Sequence, residues 1–335
     1  MARPTIKDIS RIAGVSPTAV SFALNDRPGV SDATRARIEQ VARELGWQRS
    51  VAAAALSAGR AQAIGLIIAR PTSSFTGERF FMFLLAGIEQ VLTSRSLALV
   101  LQFVDTPEQE LEAYRQWHFE CRVDGVVLID PRADDPRPAM LQELGLPAVF
   151  LGAQRETELP GVRVDDAAAM RILVDHFHEQ GHQRLAHVPG TADLVHTQER
   201  VAAFAARCGE LGIEVCPVEA TDYTEAAGRA ATRGLLSLPT PPTGIIYDNE
   251  VLTLGGLTAI ASLGVKVPDE VAVASFEDSP LCRMVQPPVT ALKRDPSELG
   301  AHATKLLLDV LDGKDSSGVV EPAPRLEVRG STQRA

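Results

Sequence analysis

Residues 5–25 read TIKDISRIAGVSPTAVSFALN, and this stretch decides how the rest of the chain is understood. Thr5 is placed to cap a helix whose apolar positions Ile6, Ile9, Ile12 and Ala13 share a face, and Gly14 permits the left-handed turn that ends it. Ser16 caps the next helix, with Pro17 at its first position, where a missing N–H costs nothing. Val20 and Leu24 face inward with Ala23 beside them, and Asn25 is a natural stop. Two helices of about two turns joined by so short a corner make a helix-turn-helix. A third helix over 31–45, capped by Ser31, striped by Ile38, Val41, Ala42 and Leu45 and ended by Gly46, closes the bundle. Pro17, Thr18, Ser21 and Phe22 stay outside on the second helix. An exposed Phe calls for a partner, and a thymine methyl in the major groove would suit it; the other reading tucks Phe22 into the bundle edge.

Charge follows the same division. The chain has 335 residues and a net charge of -10, yet residues 1–60 carry nine Lys/Arg against five Asp/Glu, leaving -14 for the remainder. A basic head on an acidic body is the asymmetry expected of a DNA-binding attachment. At this length and 45% hydrophobic content two or three units are expected. No cationic leader is followed by an apolar segment, and runs such as AIGLIIA stop far short of the roughly 20 residues a membrane span needs. The expectation is a cytoplasmic protein with no membrane partner. Cys121, Cys208, Cys216 and Cys282 show no CxxC spacing, so neither a zinc ribbon nor a redox pair is indicated.

The segment TIKDISRIAGVSPTAVSFALNDRPGVSDATRARIEQVARELGW resembles the headpiece of the lactose-repressor (LacI/GalR-type) family of transcription regulators. By that resemblance Pro17, Thr18 and Phe22 read bases, while Ser16, Ser21 and Asn25 support phosphate contacts and helix position; Thr5 and Arg49 complete the DNA-contacting set. Residues 47–60, WQRSVAAAALSAGR, are similar to the family's hinge, a short helix that forms on DNA and inserts a leucine into the minor groove; Leu56 takes that place. Such a wedge unstacks a base step in exchange for a bent duplex that meets more protein. Arg49-Ser50 stands where many relatives have Pro-Asn, and Ala54 where they have Arg. The plainer alternative is an alanine-rich tether.

From Ala63 onward Val/Ile/Leu-rich runs (AIGLIIA, LALVLQF, VDGVVLI, PAVFL, RLAHV, GIIY, VAVASF) alternate with helical stretches near 81–92, 167–180, 200–211, 225–236, 251–263 and 296–311. Continuous apolar strands separated by helices mean parallel sheets covered on both faces, with ligands bound at the carboxyl ends of the strands. The fold class expected is therefore α/β: an all-helical headpiece (1–47), a hinge or linker (48–61) and a two-lobed body (62–335). FFMFLLAGIE, RVDGVVLID, EQGHQRLAHVPGT, DNEVLTLGGLTAIASLGVKVPDEVAVASFED and PPVTALKRDPSELGAHATKLLLDVLDG extend the family resemblance and make the body similar to periplasmic sugar-binding proteins. That fold implies three crossings between lobes, expected near Val162, Thr290 and Pro322. The first lobe then spans about 62–161 and 292–321, the second about 162–290 and 322–332.

Sugar recognition needs planar or charged groups that bond adjacent hydroxyls, and an aromatic face for the ring. The motif matches imply Arg200, Asn249 and Glu277 as the polar set, Tyr223 as a stacking platform and Phe80 as an aromatic from the other lobe. Plainer roles stay open: a surface arginine, a helix cap, a loop carboxylate, core aromatics. Glu277 stands where the family usually has Asp. His176, His178 and His182 lack a third ligand at metal spacing, and no P-loop, GxSxG or HExxH occurs, so neither metal, cofactor nor catalysis is expected. The resulting expectation is a homodimeric or higher-order repressor that binds a near-palindromic double-stranded DNA operator and is released by a small carbohydrate effector. A transporter's sugar-binding protein and a regulator using a corepressor such as a nucleobase are the alternatives.

Overall fold

The computed structural model describes residues 4–47, 60–70, 78–152, 159–314 and 316–333. Residues 48–59 of the expected hinge, with Arg49 and Leu56, lie outside them. The chain divides into two compact units, Met1–Ala61 and Gln62–Ala335.

The first unit holds α1 (Ile6–Ala13), α2 (Pro17–Leu24) and α3 (Asp32–Glu44). Thr5 and Asp8 form a reciprocal capping box at α1, whose far end closes on Gly14 at φ 64°. Ser16 and Ser31 accept from Ala19 N–H and Thr34 N–H at the next two starts. These caps fix the helix ends before any packing, so a small core of Ile9, Ala13, Val20, Ala23, Ile38, Val41 and Ala42 suffices to close the bundle. The α1 face is narrower than its sequence suggests. Ile6 and Ile12 are 36% and 52% exposed, each about 60° around the helix from Ile9, outside the arc that α2 and α3 cover.

The second unit alternates strands and helices. β1 (Ala63–Ala69), β2 (Ala98–Val104), β3 (Gly125–Leu128), β4 (Ala148–Leu151) and β5 (Gly161–Arg163) belong to one sheet; β6 (Arg184–Val188), β7 (Glu214–Cys216), β8 (Gly244–Tyr247), β9 (Ala272–Ser275) and β10 (Thr290–Lys293) belong to another. β11 (Val319–Val320) returns to the first sheet and β12 (Arg325–Glu327) to the second. The sheet orders are β11-β5-β4-β3-β1-β2 and β12-β10-β9-β8-β6-β7. Every pairing is parallel except β10 with β12. Fully buried strands such as β3, β4 and β8 read as unbroken runs without charged residues because helices cover both faces.

Helices α4 (Arg79–Ser94), α5 (Pro107–Phe119) and α6 (Arg137–Leu144) serve the first lobe, and α7 (Asp166–Glu179), α8 (Val195–Leu211), α9 (Glu225–Leu236), α10 (Glu250–Ser262) and the short α11 (Pro280–Met284) the second. The last, α12 (Pro296–Leu311), returns to pack on α4. Its backbone comes so close that a Cβ on Gly300 would lie 2.3 Å from the Leu84 carbonyl oxygen, and one on Gly87 1.9 Å from that of Ser297.

The lobe crossings differ in detail from expectation. Val162 is paired with Leu151 and Val319 in the first sheet, so the chain leaves only after Arg163. Thr290 is paired with Ala274 in the second, so the return follows Lys293. The third crossing runs between Val320 and Arg325, a stretch containing Pro322. Among the described residues no helix is long and apolar enough to cross a membrane.

Candidate DNA-reading helix and effector cleft

In the headpiece Ser16, Pro17 and Thr18 are exposed at the start of α2, as is Thr5 at the start of α1. These sit where two helix N-termini offer unpaired N–H groups, the natural site for a phosphate. Phe22 is not outside the bundle as one reading had it. It is half-buried, its ring 3.4 Å from where a Gly29 Cβ would be, so the turn after α2 supports one edge. Asn25 is committed locally: Nδ2 donates to the Ser21 carbonyl at 2.7 Å and tightens the end of the helix. Arg35 reaches back from α3 to the Ala23 and Arg27 carbonyls at 2.6 and 2.9 Å, fixing the angle between α2 and α3.

In the body Phe80, Arg200, Tyr223, Asn249 and Glu277 line one cavity of about 80 Å³ between the lobes. The topology accounts for this. Arg70, Asp130, Gly152 and Val164 follow the carboxyl ends of β1, β3, β4 and β5, and Asn249, Glu277 and Arg294 follow β8, β9 and β10. Turns there are free to carry polar groups because the sheets below are already satisfied.

Arg200 is buried, with its Nε and Nη2 donating to Asp166 Oδ2 at 3.0 and 2.9 Å and its guanidinium 3.8 Å from the Phe276 ring centroid. Asp248, 3.6 Å from Arg200 Nη1, is fixed by His187 Nε2 and the Gly190 N–H, both at 2.8 Å. Burial, the largest single influence, opposes ionisation of Asp166 and Asp248, but Arg200 together with Arg294 at Asp166, and with His187 and the Gly190 N–H at Asp248, outweighs it and holds both carboxyls below the usual range. Asn249 Oδ1 caps α10 by accepting from Leu252 N–H at 2.9 Å, whereas its buried Nδ2 has no partner. The residue is thus a helix cap that also contributes to the cavity lining. Glu277 is half-buried; burial first, with the charges of Glu78 and Glu250 added, raises it to about 8 against the pull of Arg200.

Tyr223 departs from expectation. Its ring is buried against Gly190, where a Cβ would fall 1.7 Å from Cζ, and Arg70 lies over it at 5.0 Å. Its hydroxyl is engaged by His196 and Thr197 at 3.0 and 3.1 Å. An arginine from the other lobe already covers the ring, so it offers no open platform. Phe80 is half-buried at the rim, edge-on to Phe81 at 5.5 Å.

Several lining groups escaped the sequence reading. Arg70 donates to Asp130 Oδ2 at 2.7 Å and to Glu78 at 3.1 Å. Arg294 donates through Nη2 to Asp166 Oδ1 at 3.0 Å, leaving a buried Nε unpartnered. Burial lowers His196 to about 4, keeping it neutral, and raises Glu78 to about 7. Asp130 has φ 51°, and the carbonyls of Ile129 and Asp130 are held at 2.9 Å by Arg137, itself clamped by Glu110 and Asp135. The only sequence signal for these was an Asp, Glu or Arg just past an apolar run.

The lobes are closed on each other. Val195 N–H donates to the Pro131 carbonyl at 2.9 Å, Arg79 N–H to Glu250 Oε1 at 3.0 Å, and Arg132 bridges to Leu194.

Comparison with known proteins places both units. Residues 5–50 match the bacterial regulatory proteins of the lacI family, and residues 174–332 the periplasmic binding protein-like domain. A LacI family transcriptional regulator from Bifidobacterium animalis subsp. lactis is 33% identical, with a TM-score of 0.75 over 82% of this chain and 99% of that one. The transcriptional repressor CytR of Escherichia coli K12 is 29% identical over 98% of this chain and 96% of its own length. The transcriptional regulator CelR in complex with cellobiose is 27% identical, with a TM-score of 0.73 over 98% of this chain and all of that one. With a helix-turn-helix headpiece joined to a two-lobed binding body along the same order of elements, this chain belongs to the LacI family of DNA-binding transcription regulators.

Proposed function

We propose that the protein is a cytoplasmic repressor that binds a near-palindromic operator as a homodimer and is released when a small sugar occupies the body. The observation that carries this is the convergence of Phe80, Arg200, Tyr223, Asn249 and Glu277 on one cavity, in a chain whose other unit is a capped helix-turn-helix. Pro17, Thr18 and Phe22 are assigned to base edges, and Thr5, Ser16, Ser21 and Asn25 to phosphates and helix position. Two such headpieces read half-sites whose spacing the dimer sets. Arg49 and Leu56 are assigned from sequence to a phosphate and to the minor-groove wedge.

The switch follows from lobe geometry. Effector bound to both lobes stabilises one closure, and operator binding favours another; moving occupancy from mostly bound to mostly free requires a differential affinity of roughly 5 kcal/mol. The cavity has ion pairs and hydrogen-bonding groups for holding a polyol, and the reading assigns it no catalytic step. The bound sugar in the CelR complex supports the ligand class.

Fluorescence anisotropy of an operator fragment, titrated with the full chain in the presence and absence of a sugar that binds the cleft, tests the reading. Release of DNA at saturating sugar is expected. Tightening of DNA binding instead would make the ligand a corepressor, and release by a nucleobase with no response to sugars would overturn the carbohydrate assignment.

A further inference from the structure

Every helix of the body must satisfy the N–H groups of its first turn, and among the described residues two helices do so by a different route from the rest. α5, α7, α9, α10, α11 and α12 each follow a residue whose own side chain caps them: Thr106, Asp165, Thr224, Asn249, Ser279 and Asp295. α6 is served from within its lobe, Arg137 N–H donating to Asp135 Oδ1 at 3.0 Å. α4 and α8 follow Glu78 and Leu194, neither of which makes a side-chain cap. Their first N–H groups go to the opposite lobe instead. Arg79 N–H, at the start of α4 in the first lobe, donates to Glu250 Oε1 of the second at 3.0 Å; Val195 N–H, at the start of α8 in the second, donates to the Pro131 carbonyl of the first at 2.9 Å. Each lobe thus caps one helix of the other.

Both acceptors are fixed by their own lobe. Glu250 is buried in the first turn of α10, whose start Asn249 already caps. Pro131 follows Ile129 and Asp130, whose carbonyls the buried Arg137 grips at 2.9 Å, and precedes Arg132, which Glu110 holds at 2.8 Å. Neither acceptor travels with the helix it caps, so separating the lobes removes both caps together. The two helices concerned carry Phe80, His196 and Arg200 into the cavity, and the shape of the lining depends on how their first turns are held.

We propose that closure of the lobes and completion of the starts of α4 and α8 are a single event, a reciprocal capping in which Glu250 is the positioning residue. Opening the body leaves both helix starts, and the lining side chains they carry, without support. A helix start that loses its cap shifts a local equilibrium about fivefold, so the two lost together bias the body toward closure on the order of 25-fold. The device serves any ligand that bridges the lobes, and its failure is a separate result from failure of the carbohydrate reading.

Hydrogen exchange of the full chain without ligand, resolved to single amides, tests the inference. Glu250→Ala is expected to speed exchange at Arg79 about tenfold and, across the cleft, at Val195 about fivefold, because both caps form in the same closure. Gln109 and Ala227, capped within their lobes by Thr106 and Thr224, should stay within about twofold of the native chain. Glu250→Gln keeps the reach and an acceptor oxygen and should leave all four amides near their native rates. Glu250→Asp keeps the charge but withdraws the oxygen by one methylene; it should speed Arg79 and Val195 alike, and it carries the test if the alanine variant does not fold. Acceleration at Arg79 with none at Val195 overturns the inference, since the two starts are then independent. Equal acceleration at all four amides overturns it as well, because Glu250 then only stabilises the body as a whole.

Discussion

Replacing Asp166 with Asn removes the charge that the buried Arg200 and the half-buried Arg294 share. Asp166 is 1% exposed; its Oδ2 receives Arg200 at 3.0 and 2.9 Å and its Oδ1 receives Arg294 at 3.0 Å. Breaking a buried pair from one side costs about 3–5 kcal/mol because the partner's charge stays buried. Asn preserves volume and retains one acceptor, while its Nδ2 turns a donor toward the other guanidinium, so the loss falls near 3 kcal/mol. For a unit as long as Gln62–Ala335, where each kcal/mol moves Tm by about 2 °C, calorimetry should show the body melting about 6 °C earlier. Sugar affinity should fall at least tenfold, since Arg200 and Arg294 lose their common anchor. Operator affinity without sugar should be unchanged. Asp175→Asn is the control: its pair with Arg207 spans 2.6 Å, but the two side chains are 39% and 29% exposed, and such pairs contribute under about 1 kcal/mol. If Asp166→Asn melts within about 2 °C of the native chain and binds sugar equally well, Asp166 does not hold the two arginines in place and the account of the cavity is wrong.

Three further outcomes follow from the geometry. Ile38 is fully buried in a headpiece core of seven residues, so Ile38→Ala, at about 2–5 kcal/mol, should unfold a unit whose whole core contributes little more; anisotropy would show operator binding lost while sugar titration is unaffected. Gly300→Val sets a Cβ against the Leu84 carbonyl and should destabilise the α4–α12 contact by more than 1 kcal/mol, read as a lower body Tm with normal headpiece melting. Glu277 at about 8 and Glu78 at about 7 keep protons in the folded body that the unfolded chain releases near 4.5, so the stability they contribute is lost as pH rises from 4.5 through 8. The unliganded body should therefore melt earlier at pH 8 than at pH 6.5, and Glu277→Gln should flatten that slope. His196, lowered to about 4 by burial, stays neutral across this window.

The parts of the fold legible in the sequence are those that local chemistry dictates. Thr5, Ser16 and Ser31 each cap a helix because a short side-chain oxygen just before a helix start has one good use. Strands such as GIIY and AVFL stand out because burial on both faces leaves no polar residue in them. The strands β5, β7, β11 and β12 did not stand out: they are two or three residues long, and partners supplied from elsewhere in the sequence make them strands. Helix α5 also passed unnoticed, since its buried face includes Glu110, whose charge is matched by Arg132 and Arg137. The same limit applies to the cleft. Arg200 and Asn249 lie in motifs, but Arg70, Asp130, Asp166 and Arg294 acquire their roles only when two sheets bring four turns together. Arg70 over Tyr223 is a contact between residues far apart in the chain, and it changes what the tyrosine can do.

The central claim is that one chain couples sequence-specific DNA binding to a ligand in the cleft. The measurement that addresses it most directly is fluorescence anisotropy with the DNA upstream of the protein's own gene and a shuffled control, at two salt concentrations, with and without the sugar that binds most tightly. The account predicts tight binding to the first fragment, weak and steeply salt-dependent binding to the second, and loss of the first at saturating sugar. Equal binding to both fragments, unmoved by a sugar that titration shows occupying the cleft, would contradict it.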